Sequence, residues 1–144
     1  MKLTPLIRSA GLAGAITALL LLPSCSSSRT AGGFDPSNYR VAGSQTGKAS
    51  HYSIRTNHGT RTASGAALKD DDATAAHRSL PLGTKVVVRN LSNGKSEVVT
   101  ITDRGPYVRG RIIDVTVGVA RRLGFIQQGV VPVELDVLEK KKKT

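Results

Sequence analysis

Two runs of β-branched residues separated by a short turn constrain the fold of this chain more than any other feature. The first run, Lys85 to Leu91, reads KVVVRNL, and the second, Glu97 to Thr102, reads EVVTIT. Ser92-Asn93-Gly94 lies between them, and an Asn-Gly pair in such a position is a strong signal for a β-hairpin. The sequence therefore predicts an antiparallel strand pair in the middle of the domain.

Three shorter segments are also predicted to be strands: Ala49 to Ser53, Arg111 to Val115 and Val131 to Val137. In the last of these, apolar residues alternate with polar ones, as expected of a half-buried strand. Pro132 indicates either an edge position or the beginning of that strand. The polar segment from Ile54 to Gly83 is predicted to be a loop, and long loops on a small β scaffold commonly carry function.

One short helix is predicted, from Val117 to Leu123. It follows Thr116, a suitable N-cap residue, and stops before Gly124, a suitable residue for the left-handed position after a helix. Its predicted buried face consists of the apolar residues Val119, Leu123 and Ile126.

The N-terminus has the pattern of a secretory signal, residues 1–24. Lys2 and Arg8 precede an uncharged apolar run, which ends at Leu22-Pro23-Ser24-Cys25. The run is shorter than the roughly 20 apolar residues of a membrane-spanning helix. The ending resembles a bacterial lipobox, which implies cleavage before Cys25 and lipidation of its thiol. An ordinary signal peptide with a chance cysteine is the alternative.

The remaining chain is predicted to contain a flexible tether over 25–47, one domain over 48–138 and a basic tail over 139–144. Ser26, rather than an aspartate, follows the cysteine, which favours the outer membrane if the cell is Gram-negative. The tail contains four consecutive lysines, Lys140 to Lys143, and a solvated run of charge is the favoured interpretation.

Charge and composition restrict the partners. Removal of residues 1–24 lowers the formal net charge from +11 to +9. The chain has no Trp, three Tyr and two Phe, which is poor material for base stacking, and export removes most nucleic-acid partners. The expected partners are a membrane, reached through the lipid anchor, and the anionic polymers of the cell envelope. A single cysteine, itself acylated, leaves no internal disulfide, and we expect a monomer.

Four segments together resemble the rare lipoprotein A (RlpA) family. They are Gly47 to Tyr52 (GKASHY), Thr62 to Gly65 (TASG), Ala75 to Thr84 (AAHRSLPLGT) and Thr102 to Tyr107 (TDRGPY). Gly110 to Val115 and the predicted helix continue the match, so the resemblance covers roughly Gly47 to Leu138. It implies a mainly β fold, a six-stranded double-psi β-barrel with one short α-helix.

The resemblance also implies an activity. Members of this family are peptidoglycan lytic transglycosylases that cut between N-acetylmuramic acid and N-acetylglucosamine, with a preference for glycan strands that lack stem peptides. The 6-hydroxyl of the sugar replaces water as the attacking group, so the products end in a 1,6-anhydro ring. Such chemistry needs a general acid and a group that stabilises positive charge at the anomeric carbon.

The residues implied for this chemistry are Asp103 as acid and His77 beside it, bonded to the sugar or to the acid. The residues alone leave another interpretation for each: an Asx-turn for Asp103 and a satisfied packing role for His77. The predicted substrate-binding residues are Arg104, Tyr107, Arg109 and Arg111, of which the arginines suit carboxylates but are equally interpretable as surface charges.

One position departs from the family pattern. A glutamate usually follows the Thr-Ala-Ser-Gly segment, whereas this chain has Ala66. The nearby acids Asp70 to Asp72 could substitute for it or could be solvated turn residues. The loss favours an alternative function, a non-catalytic, expansin-like protein that binds peptidoglycan. His51 and His58 lack metal-ligand spacing, so neither a metal nor another cofactor is predicted.

Overall fold

The computed structural model describes residues 34–56 and 60–142. The predicted signal segment, Cys25 and residues 26–33 of the predicted tether lie outside the described residues. No helix in the described part of the chain has the length and apolar character needed to cross a membrane.

Six strands and one helix follow a single 3₁₀ turn, Pro36–Asn38. In chain order they are β1 (Tyr39–Tyr52), β2 (Thr74–His77), β3 (Lys85–Asn90), β4 (Ser96–Asp103), β5 (Arg111–Thr116), α1 (Val117–Arg122) and β6 (Val131–Lys140). The strands form a closed barrel in the order β1-β5-β2-β4-β3-β6. This architecture is the mainly β fold with one short helix that the sequence predicted.

The central hairpin is confirmed. β3 and β4 pair antiparallel from Lys85 opposite Thr100 to Arg89 opposite Ser96. The turn between them places Gly94 at a φ of +75°, a left-handed conformation that glycine adopts without steric cost. The interior of the barrel is apolar and is filled by alternate residues of each strand. It includes Val86, Val88, Val99, Ile101, Ile113, Val115, Val133 and Leu135.

The structure corrects three predicted segments: the tether, the loop and the basic tail. Residues 39–47 are not a tether, because β1 begins at Tyr39 and pairs with β6 along its length. The predicted loop over 54–83 contains β2, which pairs with β4 on one side and β5 on the other. The basic tail begins later than predicted, because Glu139 and Lys140 belong to β6. Pro132 lies at the beginning of β6 rather than on an edge, since that strand is paired on both sides.

The helix begins and ends close to the predicted residues, but its first turn is capped differently. The Thr116 hydroxyl donates to the Asp72 carbonyl at 2.6 Å instead of accepting from a helical N–H. Gly118 N donates to the Asp70 carbonyl at 2.7 Å, so the preceding loop satisfies one of the free helix donors. At the other end, Gly124 adopts a φ of +74° as predicted.

Candidate active site

The Asp103 carboxylate lies at the end of β4 and is half-buried. Its Oδ1 atom accepts hydrogen bonds from two backbone groups, Arg104 N at 2.8 Å and Ala63 N at 3.0 Å. The first bond is to the next residue, whereas the Asx-turn that the residues alone suggested would bind the N–H two residues on. No hydrogen bond from the described residues reaches Oδ2. Oδ1 therefore fixes the turn, and Oδ2 takes no part in it among the described residues.

The segment from Thr62 to Ala66 forms a tight turn against the end of β4. Thr62 N donates to the Ala66 carbonyl at 2.9 Å, and Ser64 N donates to the Thr102 carbonyl at 3.0 Å. Together with the bond from Ala63 to Asp103, this contact fixes the turn beside the carboxylate. Ala66, where the family has a glutamate, is exposed on this turn. Ala66 is three residues along the chain from Ala63, whose N–H group binds Asp103.

The acids Asp70 to Asp72 have other partners. Asp70 Oδ1 accepts from Ile54 N at 2.8 Å, and Asp71 pairs with Arg121 on α1 at 3.3 Å. Asp72 is exposed and contributes its carbonyl to Thr116. These contacts hold the loop against the helix, and they give no support to the prediction that one of these acids replaces the missing glutamate.

His77 is 4% exposed, and both of its ring nitrogens have partners in the protein. Nδ1 accepts from Ser79 N at 3.2 Å and Leu80 N at 3.1 Å. Nε2 is therefore the protonated nitrogen, and it faces Gln45 Oε1 at 3.3 Å. The pKa of His77 is lowered, first by burial and then by the positive charges of Arg78 and Arg104.

The structure does not join the His77 ring to Asp103. Ala76 is paired with Asp103 across a register shift, and the His77 ring binds Ser79 N, Leu80 N and Gln45 instead of the carboxylate. The predicted hydrogen bond from His77 to the acid is absent from the described contacts. The geometry matches the other interpretation, a buried and satisfied histidine.

Arg104 connects the two residues indirectly. Its Nη1 atom donates to the carbonyls of His77 at 3.1 Å and of Leu80 at 2.7 Å. The imidazole binds the backbone N–H groups of the same short segment. His77 and Arg104 thus fix the turn after β2, and Arg104 is the residue that follows Asp103. Both act as positioning residues in this structure.

The other predicted substrate-binding residues lie on the loop between β4 and β5 and at its end. Tyr107 is 77% exposed, Arg109 is exposed and Arg111 is half-buried at the start of β5. Two further cations are near Arg111: Lys48 is its partner on β1, and Arg78 Nη2 donates to its carbonyl at 3.4 Å. No acidic side chain of the described residues forms a salt bridge with these four cations, which we call the basic cluster: Lys48, Arg78, Arg109 and Arg111.

A second carboxylate, Asp114, was missed by sequence reasoning. It is paired with Ala76 on one side and Ser50 on the other, and directly paired residues place their side chains on the same face. Ser50 and Asp114 therefore share one face. Ala76 is also paired with Asp103 across a register shift, so two strand spacings put the two acidic Cα atoms about 10 Å apart. The Ser50 hydroxyl donates to Asp114 Oδ1. An acid between the buried Ile113 and Val115 was the available signal.

Tyr52 belongs to the same face, two residues beyond Ser50. Burial, together with the negative charges of Asp103 and Asp114, raises the pKa of Tyr52 to about 12. Its hydroxyl and Thr102 Oγ1 are buried and have no hydrogen-bond partner among the described residues. We call this set of neighbouring polar groups the polar face: Ser50, Tyr52, Thr102, Asp103 and Asp114. No set of three acidic, histidine or cysteine side chains in residues 34–56 and 60–142 has the geometry of a metal site.

Comparison with known proteins shows the family to which this domain belongs. Residues 44–135 match the family model described as lytic transglycolase. Proteins named probable endolytic peptidoglycan transglycosylase RlpA are 55% identical over 80 residues in a Nostoc species, and 49% identical over 81 residues in Aquifex aeolicus; each match covers 56% of this chain. The endolytic peptidoglycan transglycosylase RlpA of Neisseria meningitidis serogroup A is 42% identical over 103 residues, or 72% of this chain. The matched region is 22%, 36% and 43% of these three relatives, so the chain spans less than half of their length.

Solved structures show the same fold at low identity. The Streptomyces papain inhibitor superposes with a TM-score of 0.55 at 19% identity, over 69% of this chain and 97% of the inhibitor. The expansin of Clavibacter michiganensis superposes with a TM-score of 0.55 at 19% identity, over 69% of this chain and 52% of the expansin. The closed barrel, the family match and these neighbours agree with the double-psi β-barrel that the sequence implied. The chain therefore belongs to the lytic transglycolase family of double-psi β-barrels, and its relatives include the RlpA proteins.

Proposed function

We propose that this domain is a lytic transglycosylase that cleaves the glycan strands of peptidoglycan, with Asp103 as the general acid and base. The observation that carries the proposal is the position of this carboxylate, which is fixed through Oδ1 while Oδ2 has no bond from the described residues. The names of the relatives supply the substrate class.

One carboxyl group serves twice in the reaction, first as the acid and then as the base. Protonated Asp103 gives its proton to the glycosidic oxygen as the bond from that oxygen to C1 of the muramic acid breaks. The 6-hydroxyl oxygen of the same sugar then attacks C1, and its proton passes to the Asp103 carboxylate. The acid is restored, no water is consumed, and the product ends in a 1,6-anhydro ring. Asp114, which belongs to the same polar face, stabilises the positive charge that develops at C1.

The basic cluster gives a reason for the preferred substrate. A glycan strand without stem peptides carries a free carboxylate on each muramic acid, and guanidinium groups bind carboxylates in a bidentate manner. Arg109 and Arg111 of this cluster follow the Asp103 turn in the chain. We assign them to the substrate carboxylates, and we assign the exposed ring of Tyr107 to a sugar ring.

Two observations favour a second candidate function, glycan binding without cleavage. Ala66 supplies no carboxyl group where the resemblance implies a glutamate. The expansin neighbours share the fold, and one of them is described in complex with cellohexaose. A protein of this kind would use the same face and the same basic cluster.

Product analysis separates the two functions. The chain from Ser26 onward is incubated with glycan strands lacking stem peptides, and anhydro-ended fragments are sought by mass spectrometry. Asp103→Asn should abolish them while the fold is kept, because the amide oxygen can still accept from Ala63 N and Arg104 N. Asp136→Asn, an acid bonded to Ser44 on another part of the barrel, is the matched control. Binding of glycan without any anhydro product would contradict the enzyme and support the second candidate.

We also propose that Cys25 is lipidated and that the protein is a monomer anchored to a membrane, the outer membrane in a Gram-negative cell. The support is the lipobox-like ending Leu22-Pro23-Ser24-Cys25 and the basic and apolar residues before it. Labelling of cells with a clickable palmitate analogue should mark the wild-type protein and not Cys25→Ser. A Cys25→Ser protein that is still labelled would refute this part of the proposal.

A further inference from the structure

The strand that begins the barrel and the strand that ends it meet at one corner. Tyr39, the first residue of β1, is paired with Lys140, the last residue of β6. Lys141 N then donates to the Asn38 carbonyl at 2.8 Å. The lysine segment therefore leaves the barrel beside the point where the chain from the N-terminal side enters it.

Cationic and aromatic side chains surround this corner. The ring of Phe34 lies 5.0 Å from the ring of Tyr39, and the ammonium group of Lys85 lies 5.8 Å from the centre of the Phe34 ring. Val41, next along β1, is 56% exposed. We call this surface the corner face: Phe34, Tyr39, Arg40, Val41, Lys85, Lys140, Lys141 and Lys142.

The acids of the corner leave an excess of positive charge. Glu139 is paired with Arg40 at 2.7 Å, and Asp35 accepts from Ser37 and Asn38. Five cations of the corner face and these two acids give a net charge of +3. Arg40 thus forms a salt bridge, as do Arg89, Arg121 and Arg122, whereas no lysine of the corner face forms one with an acid of the described residues.

We infer that the corner face contacts the anionic phospholipid surface to which the protein is anchored. The inference rests on the proposed lipidation of Cys25, which is separated from Phe34 by only eight residues. Extended chain covers about 3.3–3.6 Å per residue, so eight residues hold Phe34 within about 30 Å of the lipid. Lysines near an anionic surface each strengthen binding about fivefold, and aromatic rings settle at the boundary between headgroups and acyl chains.

This contact would fix the orientation of the barrel as well as its distance from the membrane. A lipid chain alone restricts only how far the domain can move, whereas a charged corner on the surface restricts its rotation. The lipid and the cations together form the two-part anchor that stable membrane attachment commonly uses.

The test uses the chain from Ser26 onward without its lipid, so that the corner face acts alone. Binding is measured by co-sedimentation with vesicles of phosphatidylcholine, with and without phosphatidylglycerol. The wild type should bind only the anionic vesicles and should be released by salt. Replacement of Lys140, Lys141 and Lys142 by glutamine should weaken this binding about 100-fold.

The control removes the same charge elsewhere. Arg55, Lys69 and Lys95 are exposed, and their joint replacement by glutamine should change vesicle binding by no more than a few fold. Equal losses in the two variants would show an effect of net charge alone and would overturn the inference. Loss of binding to peptidoglycan rather than to vesicles in the Lys140–Lys142 variant would also overturn it. Glycan cleavage and palmitate labelling are measured separately, so a failure here is distinct from a failure of the proposed function.

Discussion

Asp103, at the end of β4, and the loop residues Asp70 to Asp72 all carry carboxylates, but the surroundings of these carboxylates differ. The side chains of Asp70 and Asp71 bind Ile54 N and Arg121, and the carbonyls of Asp70 and Asp72 bind Gly118 and Thr116. Asp103 is held by two N–H groups on one oxygen only. The loop of Asp70 to Asp72 fixes α1, whereas the two N–H groups hold the Asp103 carboxylate in place through one of its oxygens. The number of acids in a loop is thus a poor guide to its role, and their partners are a better one.

The comparison predicts that an acid at position 66 would take part in the reaction, whereas the acids Asp70 to Asp72 do not. Ala66→Glu should raise the rate of glycan cleavage by about 10²–10⁴-fold, the contribution of a positioned acid or base. The rate of anhydro-product formation measures this. Ala67→Glu, which adds the same charge one residue later at another exposed position, should have little effect. Equal rates for the wild type and Ala66→Glu would show that Ala66 lies outside the site.

Substitutions around α1 should change the free energy of unfolding rather than the rate of glycan cleavage. A Cβ atom on Gly118 would lie 2.7 Å from Asp71 Cα and 2.8 Å from the Asp70 carbonyl oxygen. The helix propensity of alanine favours Gly118→Ala by about 1 kcal/mol, but overpacking against backbone costs about 1–3 kcal/mol. We expect a net loss of up to about 2 kcal/mol in urea unfolding, with the activity of the folded protein unchanged.

Gly43→Ala is the control for this loss, because nothing lies within 4 Å of the added Cβ. A Gly118→Ala protein that is as stable as the wild type would show that the Asp70 to Asp72 loop yields easily and does not fix the helix.

The stability of the protein should depend on pH through His77, which holds the turn after β2. The pKa of His77 is lowered from its usual value of 6.5, so below that pH the unfolded chain binds more protons than the folded one. The free energy of unfolding should therefore fall as the pH drops from about 6.5 towards the folded pKa. Denaturant titrations above pH 4.5 avoid the window of Asp35, whose pKa lies below its usual 3.8. His77→Gln should flatten the profile, and an unchanged slope would contradict this role.

The smallest effect is expected for the ion pair on the helix side. Asp71 and Arg121 are 3.3 Å apart, with side chains 82% and 65% exposed, and pairs in such positions contribute at most about 0.5 kcal/mol. Asp71→Asn should change neither the unfolding midpoint nor the cleavage rate by a measurable amount. A clear loss of cleavage would mean that the helix side takes part in the reaction after all.

The strands of the central hairpin were predictable because their residues carry the information locally. Runs such as KVVV and EVVT favour extended backbone, and Asn-Gly favours the turn. Four-residue β2, with the sequence TAAH, carries no such signal. It is a strand because β4 and β5 bind it from both sides. The first half of β1 is polar and glycine-containing, and it is ordered by its pairing with β6.

The candidate site was predicted in part for a similar reason. Asp103 follows the best strand signal and precedes Arg-Gly-Pro, so its position at the end of a strand was visible in the sequence. The burial of His77 was not, because it depends on Gln45 and on the segment after β2. Asp114 was overlooked, since only the pairing through Ala76 shows that it lies near Asp103.

By itself the sequence determined the mainly β class, the central hairpin, the family and the acid at the end of β4. These follow from local backbone preference and from the order of short motifs along the chain. The tertiary structure alone decided which side chains share a face, which carboxylate oxygens are occupied and where the lysine segment leaves the barrel. Each of these depends on pairing between residues far apart in the chain, and the closure of the barrel fixes that pairing.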